Sequence, residues 1–328
     1  MPIGIRLDGC IPCFGRLLIS VLVYHVVRTI VHCEFLSSFI DTYFLTLFFF
    51  ISGLLVKDSK MSVEWYNKQV LHLLVPFIAY WALYRVFLTL FEIPFISKGA
   101  LDDAKGGYWF IFVLFLFNVF IKRLKIMSDK FKNITVKFIV MSLPFFCAVL
   151  LCSILPYDVA GYFSLMSIRR YWLFFVYGYA ITNLWKCNSI LESNRIGWSS
   201  IVIYALLSIY YVVFIGDIES NFDFAVWFLT NVSGIHAWLF LFKKLQNLLD
   251  CKVILKIGYN TLGIYVFHYF PLFILTKLIG GEINNQNSGM ILPLSVFFFT
   301  LVLLVSSYAM TLLIKRVRPV AKIFLGIK

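Results

Sequence analysis

The chain has 328 residues, of which 61% are hydrophobic and 14% charged, and it carries a formal net charge of +13. A soluble domain is nearer half apolar and a quarter charged, so this chain has too little polar surface to cover a water-soluble globule. The same composition excludes disorder, and the long unbroken apolar runs exclude a β-barrel, whose strands alternate every second residue.

Along the chain, the polar stretch Met1 to Arg16 leads into apolar segments at about 17–37, 40–56, 70–91, 107–121, 136–156, 168–185, 198–216, 223–242, 257–279 and 291–314. A helix needs ~20 residues to cross a bilayer. Most of these segments reach that length, and the two short ones read as helices lying against partners. The first is expected to act as an uncleaved signal anchor. The linkers are brief. The expected fold is therefore all-α: a polytopic transmembrane helix bundle of about ten spans, forming a single domain over residues 1–328.

The charges fix an orientation. With the N-terminus inside, most of the 29 Lys and Arg fall on inner segments, among them Arg6, Arg16, Lys57, Lys60, Lys68, Lys122, Arg123, Lys125, Lys186, Lys243, Lys244, Lys315 and Arg316. Most acids fall outside, including Glu34, Asp41, Glu92, Asp102, Asp103, Asp158, Asp217, Glu219 and Glu282. This is the positive-inside distribution, and it places both termini in the cytoplasm. Topology thus accounts for most of the net charge, and no nucleic-acid partner is needed. An inner basic surface also suits an anionic cytosolic ligand.

An ionisable group inside a span is costly unless paired or hydrated, which makes it a candidate for function. His25 lies deep in the first span. On a regular α-helix Arg28 and His32 share its face, three and seven residues on, and form a polar line toward the outer surface. An imidazole kept from water stays neutral and able to accept a proton. A core histidine bonded to a neighbouring carbonyl is the equally weighted alternative. Arg16, nine residues before His25, reads first as a snorkelling anchor. In the ninth span Asn260, Thr261, Tyr265 and His268 lie close in helical phase. Arg85 in the third span is expected to pair with an outer acid. Cys10 and Cys13 form a lone C-x-x-C and read as two small apolar residues; no metal site is expected.

Five segments in order resemble the acyltransferase family 3 membrane enzymes. Val21-Leu22-Val23-Tyr24-His25-Val26 is similar to the family's apolar run ending in its histidine, with Leu7-Asp8-Gly9 upstream like the start of its L-D-G-x-R-G box. Phe48-Phe49-Phe50-Ile51-Ser52-Gly53-Leu54-Leu55 resembles its F-F-x-x-S-G-[YF]-L signature. Lys68 to Pro76 resembles a basic stretch closing in L-L-x-P, and Gly107-Tyr108-Trp109-Phe110 an L-W-F-L helix start. Ile257-Gly258-Tyr259-Asn260-Thr261-Leu262-Gly263-Ile264-Tyr265-Val266-Phe267-His268 is similar to I-G-x-x-S-L-x-I-Y-x-x-H. The family has a basic residue eleven positions before its histidine, where this chain has Phe14. Either Arg16 replaces it, or a short insertion holding Ile11-Pro12-Cys13 displaces Asp8-Gly9. The basic pair before L-L-x-P is thinned to Lys68 and His72.

The resemblance implies O-acyl transfer, usually acetyl from cytosolic acetyl-CoA, to a sugar hydroxyl of an envelope polysaccharide or a lipid-linked sugar. It also implies a multi-pass protein of a bacterial inner (plasma) membrane. On that reading His25 is the general base. Arg28, His32, Ser52, Asn260 and His268 support it or face the acceptor, and Arg16, Lys57, Lys68 and His72 hold the donor. Acyl transfer to an alcohol needs a base for the hydroxyl proton and donors for the oxyanion. Ser52 and Thr29 are candidates for such help. No Ser-His-Asp arrangement or G-x-S-x-G elbow is readable, which favours direct attack by the hydroxyl over an acyl-enzyme. The rival readings are a transporter or exporter of a glycan or small metabolite, against which no inverted repeat is evident, and a glycan-lipid receptor without chemistry.

Overall fold

A computed structural model describes residues 7–57, 61–91, 106–216, 218–246, 252–279 and 291–326. Every regular element among them is helical. Eight helices are long and apolar enough to cross a membrane: Ile11–Val31, Glu34–Leu54, Val63–Leu90, Ile134–Ile154, Asn194–Ile215, Asn221–Lys244, Thr261–Ile279 and Leu292–Arg316. The chain is a polytopic membrane protein. The other two expected spans are also helical, as Trp109–Ser128 and as Leu165–Tyr179 continued by Ala180–Leu184. Neighbouring helices cover part of both. Phe117, Ile121, Trp172 and Phe175 are fully buried, so neither helix must be apolar all round. By contrast Phe146, Leu150 and Ile154, and likewise Val202, Leu206 and Ile209, are exposed on their helices, as lipid-facing surface is.

The limits of the first three spans move, the second running Glu34–Leu54 rather than 40–56. The first helix starts at Leu7 and ends its π-turn at Val31, rather than running to residue 37. The third begins at Val63, because Ser62 caps it by accepting from the Trp65 N–H at 3.1 Å. Lys60 and the acids Glu92, Asp102, Asp103, Asp217 and Glu282 lie outside the described residues, as do Arg6, Lys98 and Lys105.

The chain forms two compact units, Met1–Phe48 with Cys187–Leu312, and Phe49–Lys186 with Leu313–Lys328. In the first, helix Leu7–Val26 lies directly on helix Lys252–Tyr259. A Cβ at Gly15 would stand 2.6 Å from the Ile254 carbonyl oxygen, and one at Gly258 would stand 2.3 Å from that of Ile11. Only glycine permits backbones this close, the usual device for packing helices in lipid. Helices Asn194–Tyr210 and Asn221–Lys244 run antiparallel, with Gly197 against Phe240 and Gly234 against Tyr204. Ser220 and Asp223 form a capping box at the start of the latter. The interior of this unit is stitched by polar pairs: Thr42 with the Tyr204 hydroxyl at 2.9 Å, Thr46 donating to Asn231 Oδ1 at 2.7 Å, and the Tyr43 hydroxyl donating to Ser20 at 3.1 Å.

Thr46→Val tests one such stitch. It keeps the shape and removes the donor to a buried amide. The loss is expected to be about 0.6–1 kcal/mol, read as a lower unfolding midpoint in detergent.

In the second unit, residues 49–54 cross helix Leu165–Tyr179 at Gly53 and Gly178. Phe49 stacks on Tyr171 at 5.0 Å, and the Trp172 indole N–H donates to the Met141 carbonyl at 2.8 Å. The C-terminal helix Arg318–Leu325 packs on Val75–Leu90 through Phe324 and Tyr80, with ring centroids 5.1 Å apart.

Candidate functional site

Two breaks in helical regularity build the site within the first unit. Helix Leu7–Val26 passes into a π-turn over Val27–Val31 just beyond His25, and such widened turns recur at functional positions. The ninth span is not one continuous helix. It is interrupted at Asn260, between Lys252–Tyr259 and the helix Thr261–Ile279, in which His268 keeps helical dihedrals (φ −64°, ψ −23°). His268 and Tyr269 lie where this span meets the first helix.

At their meeting point the Tyr269 hydroxyl lies 3.2 Å from His25 Nε2. The His25 ring centroid is 4.9 Å from that of His268 and 5.1 Å from that of Tyr269, and the rings of His268 and Tyr269 lie 4.1 Å apart. The edge of Tyr24 closes the other side at 5.4 Å. Arg28 donates to the Tyr24 hydroxyl and sits over that ring. Thr29, a candidate helper, is committed to the helix, its hydroxyl donating to the His25 carbonyl at 2.6 Å.

His268 is fully buried. Its Nδ1 contacts the Tyr265 carbonyl oxygen. A carbonyl can only accept, so Nδ1 carries the hydrogen and the neutral ring presents a lone pair at Nε2. Among the described residues that Nε2 has no hydrogen-bond partner.

The structure therefore joins His25 to His268 and leaves other expected members elsewhere. The line from His25 through Arg28 to His32 does not continue. The π-turn changes the helical phase, and His32 ends it in the left-handed conformation at φ 53°, exposed beyond the helix. Asn260 sits at the helix break, its side chain donating to the Lys256 carbonyl at 2.6 Å. Arg16 is buried, with Nη1 donating to the Phe242 carbonyl at 3.0 Å and its guanidinium over the Phe242 ring. Phe14, at the position expected to be basic, packs on Phe48.

The remaining expected residues belong to the second unit. Ser52 is half-buried next to Gly53. Lys57 is exposed, and its carbonyl accepts from the buried Lys122 ammonium at 2.6 Å. Lys68 is exposed and paired with Glu64 at 2.6 Å, an ion pair that an anionic phosphate would have to displace. His72 is exposed and lies against Gly326. Of this set, exposure leaves Lys57, Lys68 and His72 the more available to an anionic donor. Arg85 lies over the Trp81 ring at 5.5 Å, while the nearby acids expected as its partners fall outside the described residues. Among the described residues no cluster of His, Cys, Asp and Glu is arranged to hold a metal ion.

Tyr269 and Tyr24 are the members that sequence reasoning missed. Tyr269 lies 244 positions from its partner His25. The one available signal was its place directly after a histidine in an apolar span. A family model described as an acyltransferase domain matches residues 16–312, most of the chain and all of the cluster. No curated protein and no solved structure matches it.

Proposed function

Because the chain belongs to acyltransferase family 3, we propose that this membrane acyltransferase moves an acetyl group from cytosolic acetyl-CoA to a hydroxyl of an envelope polysaccharide or lipid-linked sugar, with His25 as general base. The observation that carries the reading is the His25–His268–Tyr269 cluster, set among apolar helices inside the family match.

The donor supplies a thioester. The sugar oxygen attacks the thioester carbonyl carbon, the new C–O bond forms and the C–S bond breaks. His25 takes the hydroxyl proton and returns it to the departing thiolate, leaving an ester and a free thiol. In the base form His25 Nε2–H donates to the Tyr269 hydroxyl, which fixes the rotation of the ring and leaves the Nδ1 lone pair to take the proton. Ser52 stays a candidate to donate to the oxyanion. Lys57, Lys68 and His72 are proposed to attract the donor's phosphates, with Arg16 a weaker candidate because it is buried against Phe242. The lopsided basic charge supports cytoplasmic termini and a donor arriving from that side.

The test uses membranes of cells carrying the protein, given acetyl-labelled acetyl-CoA. Label should enter surface glycan in a form released by mild alkali, as an ester is. Amide-linked label would overturn O-transfer. Failure of glycan to reach the surface in cells lacking the protein, with no label transferred by membranes carrying it, would favour the exporter reading.

Tyr269→Phe removes the hydroxyl and keeps the ring. Its turnover is expected to fall about tenfold, with the apparent KM for acetyl-CoA within about twofold of wild type. An unchanged turnover would remove Tyr269 from the positioning role.

A further inference from the structure

The buried lone pair on His268 goes unused in the step above. It belongs to the same cluster as the base: the His268 ring is 4.9 Å from that of His25, fully buried, with Nδ1–H committed to the Tyr265 carbonyl and Nε2 without a partner among the described residues. A buried acceptor left unmatched costs about 1–3 kcal/mol. Such an atom is retained where a ligand completes it, because a site built to bond a hydroxyl rejects molecules that lack one.

The missing partner must be a donor. It is not a phosphate or thioester oxygen, which only accept, and a neutral imidazole nitrogen is a poor counter-ion for an anion. The acyl donor's reacting end is therefore excluded, and the acceptor's hydroxyls remain. The His25 and His268 rings are in contact, so two hydroxyls meeting them must be near neighbours on one molecule. Adjacent ring carbons of a sugar carry such a pair; a simple alcohol does not.

Resting on the acyltransferase reading above, we propose that His268 is an acceptor-recognition residue: Nε2 takes a hydrogen bond from a hydroxyl next to the one that His25 deprotonates. The acceptor class is then a vicinal diol of a sugar or polyol, and the unreacted hydroxyl sets which position is acylated.

The experiment uses unacetylated envelope glycan, prepared from cells lacking the protein, as the varied acceptor for membranes carrying wild type, His268→Phe or His268→Gln, with labelled acetyl-CoA. Phenylalanine fills the ring's place without an acceptor; glutamine restores an acceptor oxygen at a similar reach. His268→Phe is expected to raise the apparent KM for glycan on the order of tenfold or more, leaving that for acetyl-CoA within about twofold. His268→Gln should recover most of the loss. Protein abundance and unfolding midpoint are measured in parallel.

Equal changes in both KM values, or a loss tracking abundance in both variants, would make His268 structural and overturn the proposal. A fall in turnover with an unchanged glycan KM would make it part of the proton path and overturn it equally. If wild-type membranes transfer no label at all, the acyltransferase reading fails first and this inference with it. If wild type transfers and His268→Phe binds glycan normally, only this inference fails.

Discussion

His25→Ala is expected to reduce acyl transfer by about 10²–10⁴-fold, the usual contribution of a positioned general base. The ring is held on three sides, by the edge of Tyr24, the His268 ring and the Tyr269 hydroxyl. Alanine therefore removes packing as well as chemistry, and a fall in abundance would imitate a catalytic loss. His25→Gln separates the two. Glutamine keeps much of the volume and a polar group facing Tyr269, but cannot take a proton near neutral pH. Both variants should be inactive, and the glutamine variant should accumulate in the membrane at close to the wild-type level. Transfer by either one at more than about a tenth of the wild-type rate, at equal abundance, would sink the base assignment. The cluster would then be a structural polar contact between two broken helices. Ester-linked acetyl on surface glycan is the readout, with glycan export measured beside it. Loss of acetyl with normal export would also speak against a carrier.

The part of this site that was legible in the sequence is the part that depends on composition. An imidazole in an apolar run declares itself whatever its neighbours are, so His25 and His268 stood out, and the spans around them followed from hydropathy. Their contact did not, because it depends on how the first and ninth spans pack, and on a π-turn that no local rule marks. The irregularity at His268 has a local cause, since Pro271 has no N–H to give the Phe267 carbonyl. The π-turn over Val27–Val31 has none, being a run of ordinary residues. That turn undoes the face expected to join His25, Arg28 and His32, because the expectation assumed a constant 3.6-residue period. Glycine was legible as motif but not as mechanism. Ile257-Gly258 and Ser52-Gly53 were part of a family resemblance, and only the structure shows a backbone lying where each Cβ would be.

Gly53→Ala is accordingly expected to be among the most destabilising single-methyl additions in the protein. A Cβ there would stand 2.0 Å from the Phe175 carbonyl oxygen, 2.9 Å from its carbon and 3.1 Å from the Tyr179 nitrogen. All three are backbone atoms of helix Leu165–Tyr179, and no rotamer change can move them. Relief requires that helix to shift by more than about 1 Å, against a core packed to crystal-like density. The ring contacts of Phe49 with Tyr171 and of Phe50 with Tyr177 would be lost together. The cost should reach about 3 kcal/mol, the upper end for overpacking. It would be read as a sharply lowered unfolding midpoint in detergent and reduced abundance in membranes. Gly178 faces the same crossing from the other side, where a Cβ would stand 2.1 Å from the Phe50 carbonyl oxygen. Once one alanine has forced the helices apart, a second adds little, so the double variant should fall well short of the sum. Gly216→Ala is the contrasting control. Nothing lies within 4 Å of its Cβ position, and the cost there comes only from the backbone at φ +69° and ψ −66°, about 1–3 kcal/mol. If Gly53→Ala were no worse than Gly216→Ala, the close crossing would be wrong, and the S-G pair would need an explanation other than packing, with Ser52 the first residue to ask.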